Sequence, residues 1–285
     1  MRILLFGPHG QVGAEIGALG RDITPVPRSV CDLAAPGAAR AAIAAHRCDV
    51  VINASGYTAV DKAETEPRLA EAVNAAAPGE MAAACAAKRI PFIHFSTDYV
   101  FNGAGKRPYV ETDATGPLNV YGATKRDGER RVAQAGGTHA IFRLSWVFSA
   151  HGANFVKTML RLGTERASLR VVADQRGKPT PARAAAEIAL AAARILIERP
   201  ATSGLYHFAG EEETSWADFA EAIFGRAGLK TAVERIATAD YPTPAKRPLY
   251  SVLDTSKAEA AFGVKAPSWR GALDKIVQDL MAKRG

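Results

Sequence analysis

The chain has 285 residues, 48% hydrophobic and 23% charged, with a formal net charge of +7. This is the composition of a globular chain with material for one or two domains, and it excludes the disordered and collagen-like classes. Gly, Pro or a charged side chain interrupts each apolar run short of the ~18 to 20 residues a membrane helix needs, and Gly7-Pro8-His9-Gly10 cuts off the N-terminal run, so neither a membrane span nor a secretory signal is expected.

From the N-terminus, short apolar runs alternate with Ala-rich helical stretches. Strands are expected at Ile3–Phe6, Ile23–Val26, 50–52, 92–95 and 140–144, and helices at Gln11–Leu19, 37–46, 69–88 and 121–135. This order predicts parallel βαβ units and a doubly wound Rossmann sheet over residues 1–150. The alternation then loosens into helices at 154–162, 182–197, 216–226 and 269–281, separated by loops such as Tyr241-Pro242-Thr243-Pro244. Residues 151–285 are therefore expected to form a smaller mixed α/β substrate domain, with the helix at 182–197 packing back on the first.

Cys31, Cys48 and Cys85 are odd in number and form no Cys-x-x-Cys pair, which predicts neither disulfides nor a zinc knuckle and fits a reducing, cytoplasmic compartment. The basic residues are scattered rather than stacked on one helix, so a small anionic ligand is expected in preference to nucleic acid.

Gly7-Pro8-His9-Gly10-Gln11-Val12-Gly13 joins the first strand to the first helix. Glycines there let backbone N–H groups approach a pyrophosphate at a helix N-terminus, although a glycine turn can also be purely structural. The second strand ends Val26-Pro27-Arg28-Ser29. A guanidinium and a hydroxyl suit the 2′-phosphate of NADPH better than a bare ribose, the alternative being a solvated surface arginine with NADH still accepted. Asp32-Leu33 suit the adenine edge, or Asp32 caps a turn.

Phe95-Ser96-Thr97-Asp98 brings hydroxyls to the C-terminal end of the fourth strand, where open α/β sheets bind ligands. Tyr121 and Lys125 stand at i and i+4 on the following helix. An ammonium near a phenol favours phenolate and makes the tyrosine a proton donor usable near neutrality, as carbonyl reduction requires. A surface pair and a strand-end cap are the bland alternatives. What distinguishes this chain is the order: glycine turn, strand-end threonine, then tyrosine and lysine.

With those motifs the chain resembles the extended short-chain dehydrogenase/reductases, and within them the dTDP-4-dehydrorhamnose reductase family. The likeness runs through Thr58–Glu64, Glu111-Thr112-Asp113, Pro117–Tyr121, Arg143–Val147, Asn154-Phe155, Asp174-Gln175 and Pro179-Thr180. It implies NADPH-dependent reduction of the C4 keto group of a nucleotide-linked sugar, dTDP-4-dehydro-L-rhamnose. Thr97, Tyr121 and Lys125 would be the catalytic set, with Lys125 also holding the nicotinamide ribose. Cofactor contacts would come from Gly7, Gly10, Gln11, Val12, Asp32, Leu33, Ala54, Ser55 and Tyr57, and substrate contacts from Asp98, Trp146, Asn154, Phe155 and Arg247. Trp146 and Phe155 read equally well as core aromatics.

Two departures stand out. Some members use an early glutamate and a second one after the Pro-Thr pair in a magnesium-linked dimer; here Glu15 matches the first, but Arg183 stands at the second position. No metal is therefore expected, and the chain should be a monomer or a metal-independent homodimer. Tyr57 stands where relatives carry His or a small residue. Thr97-Asp98-Tyr99 lacks the Asp-Glu pair of sugar-nucleotide dehydratases, which disfavours water elimination. A dinucleotide-binding regulatory subunit is the rival from another class.

Overall fold

The structure, a computed structural model, describes residues 1–282. The chain runs β1 (Ile3–Phe6), α1 (Gln11–Leu19), β2 (Ile23–Val26), α2 (Ala38–Ala45), β3 (Val50–Asn53), α3 (Val60–Ala63), α4 (Pro67–Glu71), α5 (Ala77–Lys88), β4 (Phe92–Thr97), α6 (Val120–Gln134) and β5 (His139–Leu144). It continues through β6 (Val147–Phe148), α7 (Phe155–Glu165), β7 (Ser168–Val172), β8 (Arg176–Gly177), β9 (Thr180–Pro181), α8 (Ala182–Glu198) and β10 (Gly204–Phe208). The last elements are β11 (Thr214–Ser215), α9 (Trp216–Ala227), β12 (Ala232–Ile236), α10 (Ser256–Phe262) and α11 (Trp269–Ala282).

Six strands form one parallel sheet in the order β10-β5-β4-β3-β1-β2, the doubly wound Rossmann architecture expected from the sequence. The chain reverses direction across the sheet between β1 and β3, which opens a crevice beyond their C-terminal ends. The period-two alternation of the strands explains the two layers. Ile3, Leu5, Val50, Ile52, Ile93, Phe95, Ala140 and Phe142 face one core with α1, α8 and α10, while Leu4, Phe6, Val51, Phe92 and Ile141 face another with α2 and α5.

On that second face the strands change character near their C-terminal ends. Asn53 pairs in register with His94, Ser96 with Arg143, and Arg143 with His207. All five are buried, and Lys125 and Glu129 of α6 are buried with them. A polar layer therefore continues the apolar core toward the crevice.

Three features differ from the pattern read in the sequence. The helix expected over 69–88 is interrupted by a π-helical turn, Ala72–Ala76, with α4 before it and α5 after it. Within that turn Asn74 Oδ1 accepts from Tyr57 N–H at 2.9 Å and Asn74 Nδ2 donates to Tyr57 O at 3.0 Å, so the irregular turn anchors the loop after β3. The sixth strand, β10, comes from the second half of the chain and carries no alternation that announces it. β4 also runs two residues further than expected, so Ser96 and Thr97 belong to the strand itself.

The second half builds a third core from Phe148, Leu160, Leu169, Phe219, Ile223, Trp269 and Leu273, packed between α7, α9, α11 and the β7–β12 pair. α9 is well specified locally: Ser215 and Asp218 form a reciprocal capping box, and Gly228 closes the helix in the left-handed region.

Candidate active site

The glycine turn follows directly from its local sequence. Gly7 has φ +75°, and a Cβ there would stand 2.7 Å from Ser55 N, so only glycine lets the turn pass the loop after β3. The N-cap of α1 is Gly10, and no side chain caps it. The first-turn N–H groups are thus left to an external acceptor, as an anion site at a helix N-terminus requires. Gln11 ties the turn across the crevice: its Nε2 donates to Val147 O at 3.2 Å, and its Oε1 accepts from Ser149 Oγ and Asn154 Nδ2.

At the end of β2 the Arg28 side chain is 79% exposed, with Nε 3.6 Å from Asp32 Oδ1. Asp32 also accepts from Ala34 N–H. Leu33 packs in the apolar core. Ala54 and Ser55 are held by Phe6 O and Asn53 Oδ1, and the Tyr57 hydroxyl donates to Glu66 at 2.7 Å. Desolvation and then that bond raise the Tyr57 pKa, so this phenol stays protonated.

Tyr121 and Lys125 are delivered by the start of α6. Asn119 caps it, accepting from Gly122 N–H at 2.7 Å while donating to Lys246 O. A Cβ on Gly122 would fall 2.2 Å from Tyr99 O, so glycine brings α6 hard against the turn that follows β4. Val120 N–H donates to Glu64, and the Arg247 guanidinium pairs with both oxygens of Asp61 at 3.0 and 2.7 Å. Arg247 is thus already committed to a carboxylate, which locks the 243–247 loop onto α3 beside the entrance of α6.

Burial pushes the Tyr121 phenol up to about 12, against the neighbouring Thr97 hydroxyl, which favours its ionised form. The Tyr99 ring meets it edge-on at 5.9 Å. Thr97 Oγ1 accepts from Tyr99 N–H and donates to Asp98 Oδ1 at 3.0 Å. Asp98 is 2% exposed and sits behind Thr97, where burial raises its carboxyl to about 6 despite hydrogen bonds from Ser251, Thr97 and Ser145. Its carboxylate accepts from the Thr97 and Ser145 hydroxyls. Lys125 is buried as well, and desolvation lowers its amine to about 8, Glu129 acting in the opposite sense.

The far wall is aromatic. Trp146, at φ +47°, stacks on Trp216 with ring centroids 3.6 Å apart, and Phe155 packs on Trp216 at 4.6 Å. The rings are only partly buried, and Phe155 continues into Phe219 of the third core, so Phe155 packs as a core aromatic on one side. Asn154 is different. Its Oδ1 caps α7 through Lys157 N–H, and its Nδ2 donates to Gln11 Oε1 and Ser149 O, so the carboxamide is spent within the chain. Trp216, Asn53 and His94 were not singled out in the sequence. A tryptophan opening a helix after a Ser-x-x-Asp capping box was the available signal for the first; nothing local marks the other two.

Glu15 has Arg183 Nη1 at 3.9 Å and His151 Nε2 at 3.7 Å, and Arg183 Nε also reaches Glu187 at 3.3 Å. The two departure positions are therefore neighbours. The cysteines are free thiols among the described residues, and there no helix is long and apolar enough to cross a membrane.

The family described as "RmlD substrate binding domain" matches residues 1–282. A dTDP-4-dehydrorhamnose reductase of Burkholderia thailandensis is 44% identical, with 99% of this chain and all of that protein covered. Among solved structures, a dTDP-4-dehydrorhamnose reductase of Clostridium acetobutylicum superposes with a TM-score of 0.92 at 35% identity, covering 99% of this chain and 100% of that one. One from Bacillus anthracis, in complex with NADP, gives 0.91 at 32% identity, covering 98% and 99%. Joined to a glycine turn, a strand-end threonine and a Tyr/Lys helix at one sheet edge, this full-length similarity means that the chain belongs to the dTDP-4-dehydrorhamnose reductase family.

Proposed function

We propose that the protein reduces the C4 keto group of dTDP-4-dehydro-L-rhamnose to give dTDP-L-rhamnose, with NADPH as reductant. The observation that supports this reading is that α6, which carries Tyr121 and Lys125, packs hard against the turn after β4, whose last residue is Thr97, in a sheet whose first turn is an uncapped glycine turn. The residues present fit the dinucleotide. Gly7, Gly10, Gln11 and Val12 offer backbone at a helix N-terminus, Arg28 stands ready for a 2′-phosphate, and Asp32, Ala54, Ser55 and Tyr57 border the same crevice. When bound, NADPH supplies the hydride.

The chain's own residues supply the proton and the positioning. Tyr121, held protonated by its buried setting, donates to the carbonyl oxygen as negative charge develops there. Thr97 adds a second hydrogen bond to that oxygen when its one hydroxyl hydrogen turns from Asp98 Oδ1, which accepts it in the present structure. Lys125 carries the proton that restores Tyr121 and binds the nicotinamide ribose. Trp146, Phe155 and Trp216 cover the reacting face and exclude water, while Asn154 and Gln11 fix the loop on which Trp146 and Phe155 are mounted. Arg183 beside Glu15 supplies a fixed cation where a metal would otherwise be called for, so the reading includes no metal.

The test is NADPH oxidation with dTDP-4-dehydro-L-rhamnose, made in place by an epimerase, with the sugar product identified. Turnover to dTDP-rhamnose is expected. NADPH binding without oxidation would favour the regulatory-subunit reading instead.

A further inference from the structure

His94 is fully buried between Asn53 and Lys125, and its hydrogen bonds can be assigned one by one. Ser55 N–H donates to Asn53 Oδ1 at 3.0 Å, which fixes which end of that carboxamide is the oxygen. The amide nitrogen, Asn53 Nδ2, therefore faces His94 Nδ1, at 3.2 Å. An amide N–H can only donate, so His94 Nδ1 is the acceptor. In a neutral imidazole the proton must then sit on Nε2. That N–H points at Lys125 Nζ, 3.3 Å away.

An ammonium has no lone pair to receive it. Lys125 Nζ donates one hydrogen to Phe95 O, and its contact with His94 sets hydrogen against hydrogen for as long as the amine is protonated. Of the groups in this chain of contacts, the backbone N–H of Ser55 and the amide of Asn53 cannot release a proton at ordinary pH; Lys125 can. Once it does, the free amine accepts the His94 N–H and the network is complete.

We infer that Asn53 and His94 form a tautomer lock that presents a hydrogen, and not a lone pair, to Lys125, making Lys125 a readily spent proton donor. The inference deepens the proposed reductase mechanism and rests on it for its purpose. As Tyr121 O–H breaks and the new O–H forms on the sugar oxygen, Lys125 N–H breaks in turn and Tyr121 O–H re-forms. The amine left behind accepts from His94 Nε2 and is later reprotonated from solvent. His94 is a positioning residue that acts through Lys125.

The other charged groups around Lys125 do not undo this. Glu129, one turn along α6, favours the ammonium, but both of its oxygens are engaged by Arg143 at 2.7 and 2.8 Å. From β4 the only polar groups that reach Nζ are His94 and the carbonyl of Phe95. His94 itself is held neutral by burial and by Lys125.

Nitrogen-15 NMR of the free enzyme tests the lock directly, because imidazole nitrogens report their tautomer and lysine Nζ its titration, with Lys125→Arg to assign the signal. The expected result is the Nε2–H tautomer for His94 and a Lys125 amine that titrates well below an ordinary lysine. Asn53→Ala frees Nδ1 to take the proton, and His94→Gln can turn its carbonyl toward Nζ. Each should raise the Lys125 pKa by ~1 unit, a tenfold gain in proton affinity, and move the alkaline limb of kcat the same way. A Nδ1–H tautomer in the wild type would overturn the inference. So would an unmoved Lys125 titration in His94→Gln with its amide spectrum preserved, and that variant decides the matter if Asn53→Ala does not fold. Because these signals are read without turnover, they remain decisive even if the keto sugar proves not to be the substrate.

Discussion

Two halves of one buried polar layer solve the same problem in opposite ways. Toward β5 and β10, Glu129 receives Arg143 through two hydrogen bonds and Ser96 through a third, while Arg143 Nη1 meets His207 Nε2 and His207 Nδ1 donates to Tyr109 O. Each donor there has an acceptor. Toward β3, the Asn53–His94–Lys125 row ends with two donors face to face. The first half is settled with its present protons; the second becomes settled only when Lys125 gives one up. Structure and chemistry thus divide a single layer between them, and the division falls where α6 crosses from β5 to β4.

The largest expected effect breaks the settled half. Arg143→Met leaves the buried Glu129 carboxylate uncompensated and should cost about 3–5 kcal/mol in urea unfolding, most of it regained in the Arg143→Met/Glu129→Leu double variant. A loss below about 1 kcal/mol would mean that Glu129 is hydrated and the layer is not closed.

Next, Tyr121→Phe should lower turnover by about 10²–10⁴-fold while NADPH binding, followed by fluorescence, is retained. Near-wild-type turnover would remove Tyr121 from its proposed role.

The pH dependence of stability sharpens the contrast. In the unfolded chain His207 takes up a proton near 6.5, but in the fold burial and Arg143 hold it down to about 3. Below 6.5 the unfolded state therefore binds the extra proton, and the His207 contribution, complete above that pH, is lost as pH falls toward 3. Asp98 acts in the opposite sense: raised to about 6, it costs stability above that pH and relieves the cost as it protonates. Denaturation midpoints should fall on acidification, and His207→Gln should flatten the decline.

Smaller effects lie at the rim. Arg28→Ala should weaken NADPH about tenfold while leaving NADH nearly unchanged, as a side chain facing only the 2′-phosphate would. Equal losses for both nucleotides would assign it elsewhere. Asn154→Ala should cost about 1 kcal/mol through the lost cap of α7, with a rise in KM as the aromatic loop loosens.

Much of this was legible in the residues. The short continuous apolar runs marked β1, β3, β4 and β5 because a strand buried on both faces has no polar positions to spare, and the glycine turn was readable because only glycine tolerates that backbone and that approach. Tyr121 and Lys125 could be paired because four residues make about one helical turn. Other assignments needed the third dimension. That Arg247 pairs with Asp61 and holds a loop, and that the Asn154 carboxamide caps α7 and ties to Gln11, could be seen only in the fold.

The sequence by itself therefore determined the order of strands and helices, the dinucleotide turn and the Tyr/Lys helix, since each depends on spacings within a few residues. Tertiary structure alone decided which strand became the sixth, that helix 69–88 would break to anchor Tyr57, and that residues as distant as Asn53, His94 and Lys125 would share one row of hydrogen bonds. The physical reason is that a hydrogen bond's direction depends on both partners. A histidine's tautomer, and through it a lysine's readiness to give up its proton, is set by neighbours that only the folded sheet brings together.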